Sequence, residues 1–259
     1  MPILTLDYPG NSSELDLDLS EDLWSLLNLN HDMLTPARNG GRILKREFFQ
    51  PVKNTHRYLL KRPEVQDSEQ EWWALCDRDG NPNPALSDDL DADIDLARPG
   101  PKIVLILESP HRDEYDDNFS PLRPARGRRG TGIHYCLASH VLPMLIHFGL
   151  ELDDNQKYDV YLVNPVPYQA SLQYLQRPKR PAKKRDALKS AVWWKLWDCC
   201  KPDFERRLED YRPQIVLNGC TGEFKDAVGG IVRNLNGIQH FHVSHPSRWQ
   251  SVLSPIKSA

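Results

Sequence analysis

Lys102 opens a continuous apolar, β-branched run, Ile103 to Leu107, of the kind expected for a strand buried on both faces. Asp159-Val160-Tyr161-Leu162-Val163 predicts a second strand, Gln214-Ile215-Val216-Leu217 a third and Ile238–Val243 a fourth. Helical stretches are predicted between them. One lies around Ile133–Phe148, started or kinked at Pro143. A second spans Asp186–Cys200, where Leu188, Val192, Trp193, Leu196 and Trp197 recur at helical spacing. Others cover Asp203–Tyr211 and Gly222–Leu235. Strands alternating with helices predict a three-layer α/β/α domain around a central parallel four-stranded sheet. In such a sheet, ligands bind beyond the carboxyl ends of the strands.

Upstream of Pro99-Gly100-Pro101 the periodicity is weak. Leu23–Leu27 predicts a short helix after an N-cap at Ser20. Arg42–Phe49 and Arg57–Leu60 fit strand and helix alike, and Asp79–Pro84 is a turn cluster. Residues 1–99 therefore read as an acidic, irregular extension or subdomain, and residues 100–259 as the working domain.

Charge sharpens that division. The net charge is −3. Residues 1–100 carry 10 Lys and Arg against 19 Asp and Glu, a balance of −9, while residues 101–259 carry 23 against 17, a balance of +6. The basic excess concentrates in two segments, Arg123-Pro-Ala-Arg126-Gly-Arg128-Arg129 and Arg177-Pro-Lys179-Arg180-Pro-Ala-Lys183-Lys184-Arg185. Both fall in loops on the ligand side of the sheet, so phosphate contact is their expected role. Trp193, Trp194 and Trp197 read as packing residues. Hydrophobic residues make up 39% of the chain. No apolar run approaches the roughly 18 residues of a membrane span, and the amino terminus lacks signal-peptide character. Five cysteines at irregular spacing, without a C-x-x-C pair, read as reduced structural thiols. A cytoplasmic protein that needs no dimer is expected.

Three strand ends carry polar, proline-punctuated turns: Glu108-Ser109-Pro110-His111-Arg112-Asp113-Glu114, Asn164-Pro165-Val166-Pro167-Tyr168, and Ser244-His245-Pro246-Ser247-Arg248-Trp249. Asn218-Gly219-Cys220-Thr221-Gly222 makes a tight turn from strand three into a helix. His-Pro-Ser after the last strand resembles the leucine-loop motif of uracil-DNA glycosylases. Glu-Ser-Pro-His after the first is similar to that family's opening motif, Gly-Gln-Asp-Pro-Tyr-His or Gly-Glu-Ala-Pro-Gly in different branches. An Asn closing an intervening strand matches the base-reading position of some branches. The resemblance covers roughly residues 100–255 and rests on the order and spacing of these short motifs.

It implies a DNA-binding hydrolase that flips out a damaged or modified pyrimidine and cuts its N-glycosidic bond, leaving an abasic site without metal or organic cofactor. Glycosidic cleavage develops positive charge on the sugar and negative charge on the base. A carboxylate near the sugar and a neutral donor near the base oxygen answer both. Glu108 takes the carboxylate role, with Asp113 and Glu114 as competitors, and His245 takes the donor role. Asn164 offers a donor and an acceptor to a pyrimidine edge. His111 and Phe119 are the further base-pocket candidates. Pro110, Pro246 and Ser247 would hold rigid loops against the phosphodiester, with Ser109 also on the DNA side, and Arg248 or Trp249 would fill the gap in the stack.

The departures from the family pattern are Ser109, where one branch has its catalytic Asp, His111, where that branch has a bulky Tyr, and Leu107 in place of a Gly. They point away from plain uracil and toward a 5-substituted pyrimidine such as the modified cytosine of phage DNA. Repair of host DNA and antiviral attack on foreign DNA fit the residues equally. Two other classes stay open. One is a non-catalytic DNA-binding module of the same fold. The other is a metal hydrolase built on His240, His242 and His245, joined by His111.

Overall fold

The protein is a mixed α/β structure with two mixed sheets, seen here in a computed structural model. It describes residues 2–8, 13–27, 29–38, 40–62, 73–82, 84, 91–175 and 182–250; of residues 8, 13 and 182–185 only the backbone is described. The chain divides into two compact units. The first comprises Met1–Lys53, Ser109–Leu122 and Val166–Pro202, and the second Asn54–Glu108, Arg123–Pro165 and the residues from Asp203 on. Neither unit follows the boundary expected at Pro99-Gly100-Pro101, because each draws chain from both sides of it.

In the first unit, β1 (Ile3–Tyr8) and β2 (Ser13–Asp18) form an antiparallel pair. α1 (Glu21–Trp24) follows, and the Ser20 hydroxyl caps it by accepting from Leu23 N–H, as its sequence predicts. β3 (Leu34–Pro36) and β4 (Arg42–Leu44) complete a four-stranded sheet in the order β2-β1-β4-β3, in which β4 runs parallel to β1. Leu4, Leu6, Leu17 and Leu44 are buried at 0–1% exposure and give this sheet its apolar face. Of the extension or subdomain expected here, the irregular form is corrected: these strands pair with one another, and Thr5 is buried along with Leu4 and Leu6.

The second unit holds a six-stranded sheet in the order β10-β9-β7-β8-β5-β6. Its strands are β5 (Thr55–Lys61), β6 (Ala74–Cys76), β7 (Lys102–Ile106), β8 (Tyr158–Val163), β9 (Ile215–Asn218) and β10 (Gln239–His242). The four strands legible from apolar runs are mutually parallel neighbours. β5 and β6 extend them antiparallel, so the sheet is mixed rather than purely parallel. β5 escapes a period-2 reading because all of Thr55–Leu60 is buried, polar residues included. Arg57 is satisfied by a bidentate pair with Asp91 (2.8 and 2.7 Å) and by the carbonyls of Pro124 and Ala125. His56 and Arg98 meet Asp159.

α2 (Arg128–Cys136) begins earlier than Ile133, passes through one widened π-type turn, and continues as α3 (Leu142–His147) with Pro143 in its first turn. The two helices expected over 186–211 are one, α4 (Ala182–Tyr211), which continues through Pro202. Trp193 stacks on Trp197 with ring centroids 5.1 Å apart, both buried, in line with a packing role. α5 (Gly222–Arg233) joins β9 to β10. Among the described residues no helix is long and apolar enough to cross a membrane.

Candidate active site

The parallel ladder sets the site. Ile106 is in register with both Val163 and Asn218, and Asn218 with His242. One further rung links the strand exits through Leu107 N–H to Val163 O, Gly219 N–H to Ile106 O and Val243 N–H to Asn218 O. Neighbouring strands lie about 4.8 Å apart. Glu108, Asn164, Thr221 and His245 therefore leave four adjacent strands at one carboxyl edge, all in the second unit. The exposures of Glu108, Asn164 and His245 are 1%, 0% and 8%.

Glu108 is held by the turn after β9. Its Oε2 accepts the Thr221 backbone N–H at 3.1 Å and the Thr221 hydroxyl at 2.5 Å. Thr221 is the N-cap of α5, yet its side chain makes no capping bond. A capping hydroxyl is worth about 1 kcal/mol to a helix, and here that hydroxyl is given to Glu108 instead. The positive end of α5 adds to the field favouring a carboxylate there. Asn218 shapes the turn by accepting Cys220 N–H and donating to Lys225 O.

At Asn164 the backbone is engaged on both sides. Its backbone N–H donates to Asn54 Oδ1 at 3.1 Å and its carbonyl accepts from Arg207. Its carboxamide, however, meets no hydrogen-bond partner among the described residues at either Nδ2 or Oδ1. A buried polar atom left unpaired costs about 1–3 kcal/mol, and this fully buried carboxamide has hydrogen-bonding capacity open at both ends.

His245 stands at the head of a short 3₁₀ turn, Pro246–Arg248. Its Nδ1 accepts Ser247 N–H at 3.3 Å and lies 2.8 Å from the Ser247 hydroxyl. A backbone N–H aimed at Nδ1 requires a lone pair there, which puts the proton of the neutral ring on Nε2 as a donor. Two glycines let the turn pack closely. A Cβ on Gly132 would lie 2.2 Å from Pro246 O, and one on Gly219 would lie 3.2 Å from the Pro246 ring.

Of the two wedge candidates, Trp249 is corrected. It is 3% exposed within the core of the second unit, and its indole N–H donates to Ser244 O at 2.7 Å. Its apolar bulk and single donor are both used internally. Arg248 is exposed. Arg128 is exposed at the start of α2, with Arg126 and Arg129 half-buried beside it. The chain entering this segment is pinned by the Arg57 bonds to Pro124 and Ala125. Lys179 and Arg180 lie outside the described residues, and so do the side chains of Lys183 and Lys184.

Ser109, Pro110, His111, Asp113 and Phe119 belong to the first unit. Ser109 and Pro110 are buried. His111 pairs with Asp113 at 3.3 Å and lies against Tyr174 with ring centroids 5.3 Å apart. The Asp113 side chain is 60% exposed and Glu114 is fully buried. Phe119 is fixed between Phe48, at 5.0 Å, and the Arg112 guanidinium, at 4.4 Å.

The His240–His242 pair has ring centroids 4.6 Å apart on β10. Burial, with His242 and Arg233 beside it, pushes His240 down to about 4. Burial, Lys225 and Arg233 lower His242, against Asp226, which raises it. These neighbours oppose a cation, and among the described residues no three His, Cys, Asp or Glu side chains gather as metal ligands.

Sequence reasoning missed Thr221, Asn54 and Arg207. Only Thr221 left a signal, as a capping residue at a strand-to-helix turn. The chain matches no protein-family model, no curated protein and no solved structure.

Proposed function

We propose that this protein is a DNA N-glycosylase that extrudes a pyrimidine from DNA and hydrolyses its bond to the sugar. The observation that carries the reading is the buried, unpartnered carboxamide of Asn164, set at the same strand edge as an anchored carboxylate and a histidine donor. A carboxamide offers one acceptor and two donors in a plane, the complement of a pyrimidine edge. Glu108 stabilises the positive charge that grows on the sugar and orients the attacking water. His245 Nε2–H meets the negative charge that grows on the base oxygen. Water supplies the hydroxyl that ends on C1′, and its proton balances the departing base.

The reading carries a fold-level expectation, a three-layer α/β/α core around the four parallel strands. It also names DNA as partner, held by Arg126, Arg128, Arg129 and Arg248 through its phosphates. The replacements at 107, 109 and 111 favour a 5-modified pyrimidine over plain uracil.

The test is base release from oligonucleotides carrying uracil, 5-hydroxymethylcytosine, its glucosylated form or normal bases, with alkali cleavage revealing abasic sites. Release from one substrate, lost in Glu108→Gln and His245→Ala, is the expected result. Salt-sensitive binding without abasic sites on any substrate overturns the enzyme and leaves a binding module.

A further inference from the structure

Asp203, Arg207 and Tyr211 recur every four residues along α4, so they form one stripe of its surface. That stripe engages the two residues that follow β8. Arg207 donates from Nη1 to Asn164 O at 3.2 Å and from Nη2 to Pro165 O at 3.3 Å. Asp203 Oδ2 accepts from Arg207 Nε at 2.7 Å and fixes the plane of the guanidinium. Tyr211 OH accepts from Asn54 Nδ2 at 2.9 Å, and Asn54 Oδ1 in turn accepts Asn164 N–H at 3.1 Å. Both backbone polar groups of Asn164 are thus gripped by side chains, Asn54 on one side and Arg207 on the other. Pro165 further restricts the peptide.

The grip stops short of the carboxamide. A rotation about the Asn164 backbone would swing Nδ2 and Oδ1 away from their direction; the Asn54 bond holds the 163–164 peptide against it and the Arg207 bond holds the 164–165 peptide. Lysine cannot reproduce the planar fork that reaches two carbonyls and a carboxylate together.

We propose that the Asp203–Arg207–Tyr211 stripe, acting with Asn54, is a clamp that orients the Asn164 carboxamide for the base. Arg207 and Asn54 are its positioning residues. The proposal rests on the glycosylase reading of the site.

The experiment is a double-mutant cycle on single-turnover base release. Arg207→Met slows the step about tenfold to a hundredfold, the usual consequence of misplacing a reacting partner by about 1 Å. Affinity for the same oligonucleotide is unchanged, and Arg207→Lys recovers only part of the rate. In an Asn164→Ala background, Arg207→Met causes no further loss, since it acts through Asn164. Asn54→Leu, which cuts the grip from the other side, behaves the same way and guards against a fold defect in one variant. Equal slowing with and without Asn164 overturns the clamp. If the wild-type protein releases no base, the glycosylase reading fails, and the clamp is decided by NMR. Displaced carboxamide resonances of Asn164 and faster exchange of its backbone amide in Arg207→Met support it; unmoved resonances overturn it.

Discussion

Thr221 delivers two donors to one oxygen of Glu108, its backbone N–H at 3.1 Å and its hydroxyl at 2.5 Å. The hydroxyl is withdrawn from capping α5 to do so, which ties the local geometry of a helix start to the orientation of a carboxylate on another strand. Two donors on a single oxygen fix the plane of the carboxyl group.

Thr221→Val keeps the N–H and the β-branch and removes only the hydroxyl. A hydrogen bond to a charged group is worth about 1.5–3 kcal/mol. Base release is therefore expected to slow about tenfold to a hundredfold. Thr221→Ser restores most of the rate. The melting temperature falls by no more than the loss of this one bond to a buried carboxyl requires, since the side chain does not also cap α5. A large fall in melting temperature with an unchanged rate would show that the bond serves only the fold.

Asn164→Leu separates function from stability in the opposite direction. Leucine has nearly the same shape and no polar atoms, so it removes the cost of burying an unpaired carboxamide, about 1–3 kcal/mol. The variant is expected to melt at or above the wild-type temperature and to release no base. A destabilised variant would mean that the carboxamide has a structural partner after all.

Such relationships were largely illegible in the sequence, for physical reasons. The four parallel strands were readable because burial on both faces demands continuous apolar runs, as in Ile103–Leu107. β5 was not readable because its buried Arg57 depends on Asp91 and on carbonyls 67 and 68 residues away. The helices expected over Asp186–Cys200 and Asp203–Tyr211 are one, which continues through Pro202. The strand-end chemistry was partly legible: Glu108, Asn164 and His245 sit in short polar turns whose position follows from the strands. Thr221 was not, since its partner lies 113 residues away. Trp249 misled because its position after His-Pro-Ser says nothing about burial, and the core claims it.

The His245 turn gives a prediction on packing. In Gly132→Ala the new Cβ would lie 2.2 Å from Pro246 O, a backbone atom that cannot rotate aside. Overpacking of this kind costs about 1–3 kcal/mol. Unit two is expected to lose stability, and base release is expected to fall as His245 moves. Gly230→Ala on α5 is the control. Its Cβ would meet nothing nearer than Arg233 Nη2 at 3.9 Å, and Ala in a helix gains about 0.5–1 kcal/mol over Gly. Equal effects at the two positions would sink the packing argument.

His240 makes stability depend on acid. Burial, with His242 and Arg233 nearby, lowers it from the usual 6.5 to about 4. Between those values the unfolded chain binds a proton at this position and the folded protein does not. Stability from His240 is therefore complete above the unfolded value, declines as pH falls from 6.5 toward 4, and changes no further below. Other groups titrate over the same range, so the informative quantity is the difference between wild type and a variant. His240→Asn removes the titrating ring. Thermal melts from about pH 7 to about pH 4.5 are expected to show a shallower fall for the variant than for the wild type. Parallel curves would mean that the ring is protonated in place at no cost, and that Arg233 and His242 do not hold it neutral.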